Sequence, residues 1–209
     1  VTATAAAFVV ALASLAGCGG AVPDTRYYQL APPQAADAKP DGSGDVVAVE
    51  LLESVPPYDD PRMIYRLDAY RLDYYNYDRW SAAPGTLAAS YLVASLVHSG
   101  RFRAVITGTT TDASVILGGR VLAIEELDRT GAHPVGHVAV ELEARDAETS
   151  RPVWRARFDE LEPMTARDPE ALARAVTTAM QHIADQAVRS LGALRSDTPA
   201  RRENLVHPG

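Results

Sequence analysis

Strict alternation of apolar and polar positions marks the clearest strand. Over residues 137–145, Val138, Val140, Leu142 and Ala144 share one side, while Ala139, Glu141, Glu143 and Arg145 share the other, which is the period of a half-buried strand. Trp154, Ala156 and Phe158 repeat the pattern over residues 153–161, so residues 146–152 read as the turn of a hairpin. Residues 46–52 are apolar on both alternating sides and predict a central strand that ends before Pro56 and Pro57. Residues 63–67 and 71–77, rich in Tyr, Ile and Leu and separated by Asp68, Ala69 and Tyr70, predict a second hairpin. Residues 102–107 and 113–127 add two strands, and residues 26–30 a short first one.

Twice the period changes to that of a helix. Pro84 suits a first helical position, where its missing N–H is no loss, and Leu87, Tyr91, Ala94 and His98 form a stripe, widened by Leu92 and Leu96, that ends near Gly100. The second helix has a sharper start, with Asp168 as N-cap, Pro169 as first residue and Glu170 in the positive first turn. It runs to about Leu191, with Leu172, Val176, Ala179, Ile183 and Ala187 on the docking side and Arg174, Gln181, Asp185 and Arg189 on the wet side. Strands, helix, strands, helix is an α+β order: a largely antiparallel β-sheet with two long helices packed on one face. The expected single domain spans residues 27–194. Residues 31–44, built from Pro, Ala, Gly and Asp, predict a loop, and residues 195–209, without periodicity, a disordered tail.

The N-terminus follows neither pattern. Residues 1–17 carry no charge, and the apolar run over residues 5–15 is about 11 long, short of the roughly 20 that cross a bilayer. It reads as the apolar part of a secretory signal. Leu15, Ala16, Gly17 and Cys18 then match a lipobox, and Cys18 is the chain's only cysteine. The expectation is a signal peptide over residues 1–17, cleavage before Cys18, covalent lipid on Cys18, and a tether over residues 18–26. The competing reading, an ordinary signal peptide with a leftover thiol, leaves an odd cysteine in an exported protein without a role. Such signals open with Lys or Arg, so Val1 reads as a truncated or misassigned start.

Charge narrows the partners. The net charge is −7, and no charged residue precedes Asp24, so the mature chain is equally acidic. That excludes nucleic acid as a partner and electrostatic adhesion to an anionic membrane. Membrane attachment must come through the lipid anchor.

Catalytic chemistry has little to start from. Asp41-Gly42-Ser43-Gly44 lacks the spacing of a nucleophile turn. His133 and His137 have a helical ligand spacing, but Pro134 and Gly136 predict a turn with two exposed histidines rather than a metal site. Glu125, Glu126 and Asp128 near a strand end read as solvated charges. The reading is a protein that is not an enzyme and holds no cofactor beyond the lipid on Cys18. The aromatic cluster Tyr65, Tyr70, Tyr74, Tyr75, Tyr77 and Trp80 is the more informative feature. By parity, Tyr74 and Trp80 share an inward face, whereas Tyr75 and Tyr77 point outward and form the candidate partner interface, toward a second copy or another protein.

Four segments add a resemblance: Tyr27-Tyr28-Gln29-Leu30; Pro57-Tyr58-Asp59-Asp60-Pro61-Arg62-Met63-Ile64-Tyr65-Arg66; Arg79-Trp80 ahead of Pro84; and Leu96 with Gly100-Arg101-Phe102. In this order, behind a lipobox, the chain resembles the ABC-type transport auxiliary lipoproteins, the PqiC-like lipoproteins of MCE-type lipid transport systems. The resemblance implies a non-catalytic periplasmic module on the outer membrane, accompanying an MCE-type transporter protein, that helps lipids cross the Gram-negative envelope; the face of Tyr75 and Tyr77 is expected to take that protein or a second copy in a homo-oligomer. Gly19 after Cys18 agrees with the outer membrane, since Asp there is the retention signal cited for the inner one. A pilotin-like assembly lipoprotein for a secretion channel is the alternative.

Overall fold

The computed structural model describes residues 23–33, 45–108, 111–128 and 133–194. In chain order its elements are β1 (Arg26–Tyr28), β2 (Val46–Val49), β3 (Glu53–Ser54), β4 (Arg62–Arg66), β5 (Leu72–Trp80), α1 (Pro84–His98), β6 (Ala104–Thr107), β7 (Val115–Leu127), β8 (Val135–Asp146), β9 (Pro152–Pro163) and α2 (Pro169–Leu194). Cys18 and the tail after Leu194 lie outside the described residues, as does most of the loop expected after Ala31.

One long strand organises the sheet. Along one edge β7 pairs antiparallel with β8 from Val115↔Asp146 to Leu127↔Val135, and β8 pairs antiparallel with β9. Its other edge is shared in sequence by β2, β3 and β4, all parallel to it. Beyond them β6 extends β2, while β5 and then β1 extend β4. The sheet is therefore mixed and mostly antiparallel by paired length, with two helices packed against it, as the α+β reading expected.

Sheet residues Leu117, Val121, Ile124, Val138, Val140 and Leu142 meet Leu172, Val176, Ala179, Met180 and Ile183 of α2 in a core that also takes Leu92 and Leu96 of α1. α2 begins as its sequence predicts: Asp168 Oδ1 accepts the Ala171 N–H at 2.8 Å, satisfying one of the orphan donors of the first turn. It continues to Leu194.

α1 buries Tyr91, Leu92 and Leu96 of the expected stripe, but its centre is shifted. Its inner face is Gly85, Ala88, Ala89, Leu92 and Leu96, shared with Tyr91, while Leu87 and Ala94 are half-buried and His98 is exposed. Small residues win because the helix sinks close to the sheet: a Cβ on Gly85 would lie 2.0 Å from the Leu52 carbonyl oxygen. Ala83 offers no side-chain cap, and the cap arrives from β3, where Ser54 Oγ accepts the Gly85 N–H at 2.9 Å. No helix among the described residues is long and apolar enough to cross a membrane.

Candidate functional site, a tyrosine-lined cleft

Adjacent residues of a strand point to opposite faces, and near the end of β7 this separates two buried carboxylates. Glu125 stands opposite His137 of β8, and Glu126 opposite Gly136. A Cβ on Gly136 would come within 2.7 Å of Ala175 Cβ, so the Glu126 face is the one against α2 and the Glu125 face is the outer one. Neither is the solvated charge expected from sequence, since Glu125 is 3% and Glu126 1% exposed. Both are covered because β7 sits in the middle of the sheet: the side chains of Arg66, His137 and Tyr58 close over Glu125, and Tyr75 and the start of α2 close over Glu126.

On the outer face Glu125 is fully occupied. Arg66 Nε donates to its Oε2 at 2.9 Å, and His137 Nδ1 lies 3.3 Å from its Oε1. His137 Nε2 reaches Asp159 at 3.1 Å, and Arg66 also donates to the Tyr58 hydroxyl at 2.9 Å. Burial pushes Glu125 upward, but hydrogen bonds from His137 and Tyr58 and the charge of Arg66 outweigh it, and its pKa falls below the usual value. The hydrogen bond to Glu125 raises His137, against its burial, with Asp159 adding to the rise. Burial and Glu125 push Tyr58 up to about 12. The expected turn with two exposed histidines is corrected here: Gly136 and His137 belong to β8, His137 is enclosed by its acids, and only His133 is exposed. Ladder pairing across β7 and β9 overrides the local turn signal.

On the α2 side, Glu126 forms the floor of a cleft of about 370 Å³ lined by Tyr65, Leu67, Tyr74, Tyr75, Asn76, Asp128 and Arg167. The Tyr75 hydroxyl donates to Glu126 Oε2 at 2.5 Å, and Tyr75 meets Tyr65 edge-on with ring centroids 5.1 Å apart. The other Glu126 oxygen is 3.8 Å from Arg167 Nε, beyond hydrogen-bond range, while Arg167 donates to Asp128 at 2.6 Å. Burial raises the Glu126 pKa, opposed by Tyr75 and Arg167, and the charges of Asp128 and Asp168 raise it further. Burial beside Glu126 also pushes the Tyr75 phenol far up. On the far side of β5, the Arg62 guanidinium sits 3.8 Å from the centre of the Tyr74 ring.

The aromatic cluster is thus split differently from its parity. Trp80 is buried as expected, but Tyr75 turns inward to Glu126 and is half-buried, so it does not share a free outward face with Tyr77, which is 38% exposed. The cause is an irregularity in the hairpin. Between Arg62↔Arg79 and Ile64↔Tyr74 the chain advances two residues along β4 but five along β5. The excess is odd, which puts Tyr75 and Trp80 on the same layer. Asp78, within this bulge, is 5% exposed and receives Tyr28 and Arg26 of β1.

Sequence reasoning missed Glu126 as a buried floor and Arg167 as a rim residue. It also missed Glu160, Glu162 and His182, whose possible ligand atoms lie within 4.8 Å of one another across β9 and α2, with His182 paired to Glu162 at 2.9 Å. The only local signal for that group was the spacing of two acids on one side of a strand.

The family described as ABC-type transport auxiliary lipoprotein component matches residues 28–188. The crystal structure of a protein from Xanthomonas campestris aligns with a TM-score of 0.75 at 17% identity, covering 84% of this chain and 99% of that one. A hypothetical protein from Chlamydia trachomatis aligns with a TM-score of 0.50 at 7% identity, covering 73% of this chain and 98% of that one. At such identities the likeness is one of fold. No curated protein sequence matches. The family match takes in the four segments that carried the resemblance, from Tyr28 onward, and the chain belongs to the ABC-type transport auxiliary lipoprotein component family.

Proposed function

We propose that this auxiliary component of ABC-type transport serves an MCE-type lipid transport system, anchored to the periplasmic face of the outer membrane through acyl chains on Cys18, and that it works by docking rather than by catalysis. The observation that carries the reading is the adjacency of two signals: the lipobox ends at Cys18 and the family match begins at Tyr28. The few intervening residues span at most about 35 Å when fully extended, which keeps the folded part close to the membrane surface. Docking is favoured over chemistry because Glu125 and His137 spend their polar atoms on each other, Arg66, Tyr58 and Asp159. The partner interface is assigned to the aromatic segment of β5, with Tyr77 as its exposed contact and Tyr75 as the ring that shapes the cleft beside Glu126.

The anchor is tested by Cys18→Ser. Three acyl chains, each buried methylene contributing about 0.8 kcal/mol, far exceed the single chain that gives marginal binding, so the variant should leave the membrane fraction with its fold intact. Incorporation of labelled palmitate into the variant would overturn the assignment. The partner is tested by co-purification with the MCE protein of the same gene neighbourhood, where Tyr77→Ser should weaken capture while the melting temperature stays unchanged. Retention of full capture by Tyr77→Ser would remove this ring from the interface.

A further inference from the structure

Around the cleft the charges do not balance. Among the described residues, the charged groups that line it are Glu126 of β7 and Asp128 just after it, against the guanidinium of Arg167, and Asp168 at the start of α2 adds its negative field at Glu126. Asp73 and Arg71, which act on Tyr65 at the rim, cancel each other. The excess on that lining is one negative charge, in a recess walled by the rings of Tyr65 and Tyr75. Glu126 is 1% exposed and borders the cavity, with one oxygen bound to Tyr75 and the other 3.8 Å from its nearest cation. Arg167 is drawn to Asp128 instead, at 2.6 Å, and its side chain is more than half exposed. Tyrosine ring faces attract a cation, and on the opposite face of β5 the neighbouring Tyr74 ring already carries the Arg62 guanidinium.

We propose that this cleft binds an organic ammonium group, its cationic head against the Tyr65 and Tyr75 rings and above the Glu126 carboxylate. Aromatic faces attract a cation through their quadrupole, and quaternary ammonium groups suit them because such heads are weakly hydrated and offer no hydrogen bond that the rings would have to satisfy. The cavity of about 370 Å³ admits a trimethylammonium head together with the first atoms of its chain. Asn76, also on the lining, stands where a hydroxyl or ester of that chain could be met. The proposal does not depend on the transport reading.

The test is a titration of the full chain with choline, followed by tyrosine NMR shifts and calorimetry, beside 3,3-dimethylbutanol, which has the same shape without the charge. Choline should bind saturably and the neutral isostere about tenfold more weakly or not at all. Glu126→Gln and Tyr65→Ala should each weaken choline by about tenfold, whereas Arg167→Gln, which removes the competing cation, should strengthen it. That reversal of sign cannot come from damage to the fold. Equal binding of choline and its isostere, or weaker choline binding by Arg167→Gln, overturns the assignment, as does an absence of saturable binding. Flotation with phosphatidylcholine vesicles, using Cys18→Ser to remove the anchor, identifies the source: capture competed by choline assigns a lipid headgroup, and choline binding without capture assigns a free solute.

Discussion

Tyr75→Phe removes one oxygen from the floor of the cleft and exposes how Glu126 is tolerated there. The hydroxyl donates to Glu126 at 2.5 Å, and the nearest alternative, Arg167, stands at 3.8 Å. A hydrogen bond to a charged group is worth about 1.5–3 kcal/mol, and its loss leaves a buried acceptor short of a partner. The substitution should therefore cost about 2 kcal/mol at about pH 8. Glu126→Gln should act in the opposite direction, because burial raises the pKa of this carboxyl in the folded protein. The destabilisation from its charged form is complete above the folded pKa and disappears as the pH falls through that value to the unfolded one. Glutamine keeps an acceptor for Tyr75 and discards the charge, so it should stabilise by up to about 1 kcal/mol at about pH 8 and by nothing below about pH 4. In the Gln background Tyr75→Phe should cost only about 1 kcal/mol, the value for a neutral hydrogen bond. Urea unfolding of the four proteins at both pH values gives each number from the midpoint and slope. A Glu126→Gln variant less stable than the parent protein at the higher pH would refute the reasoning, since the carboxylate would then be a favourable element of the fold.

Three further outcomes follow from the same geometry. His137 has a raised pKa in the folded state, so its contribution is complete below the unfolded imidazole value and is lost as the pH rises through the folded one; His137→Gln should cost more in thermal melts at about pH 6 than at about pH 9. Gly85→Ala should destabilise by about 3 kcal/mol or more, because the added Cβ meets the Leu52 carbonyl, a backbone atom that cannot step aside, and calorimetric melting measures it. Leu92→Ala empties a fully buried site between α1 and the sheet and should lower the urea-derived stability by about 2–5 kcal/mol.

The elements were legible where one period runs undisturbed. β8 and β9 alternate for long enough to be read directly, and Asp168, Pro169 and Glu170 announce α2, whose stripe from Leu172 to Ala187 is buried as read. β3 was not legible, because two residues carry no period: Glu53 and Ser54 become a strand only where β7 continues past the end of β2. The face of α1 was misread for a related reason. A stripe drawn by helical spacing put Leu87, Ala94 and His98 inside with Tyr91, Leu92 and Leu96, of which the last three are buried; a helix that approaches its sheet closely is admitted by its smallest side chains, and Gly85, Ala88 and Ala89 complete that face instead.

The candidate site was harder to read than the fold because every part of it depends on partners distant in sequence. Glu125 and Glu126 look alike as neighbours in a chain, yet one is held by Arg66, Tyr58 and His137 below its usual pKa, and the other is raised in a cleft with Tyr75. Their separation requires only the alternation of a strand, but their burial requires β4, β5, β8 and α2 to be in place. Parity also assigned Tyr75 to the outside, and it would have been correct for a regular hairpin. The extra residues on β5 reverse it, and nothing between Tyr75 and Trp80 is a glycine or proline that would mark the bulge. Asp78 supplies the physical reason that the bulge persists: it is nearly inaccessible, and its carboxylate takes the Tyr28 hydroxyl at 3.1 Å and the Arg26 guanidinium at 2.8 Å. A carboxylate so buried is tolerated only while its donors remain, so β1, the first strand of the described chain, helps fix the direction in which Tyr75 points. The cleft is thereby joined through β1 to the N-terminal part of the described chain, where the proposed tether would enter the fold.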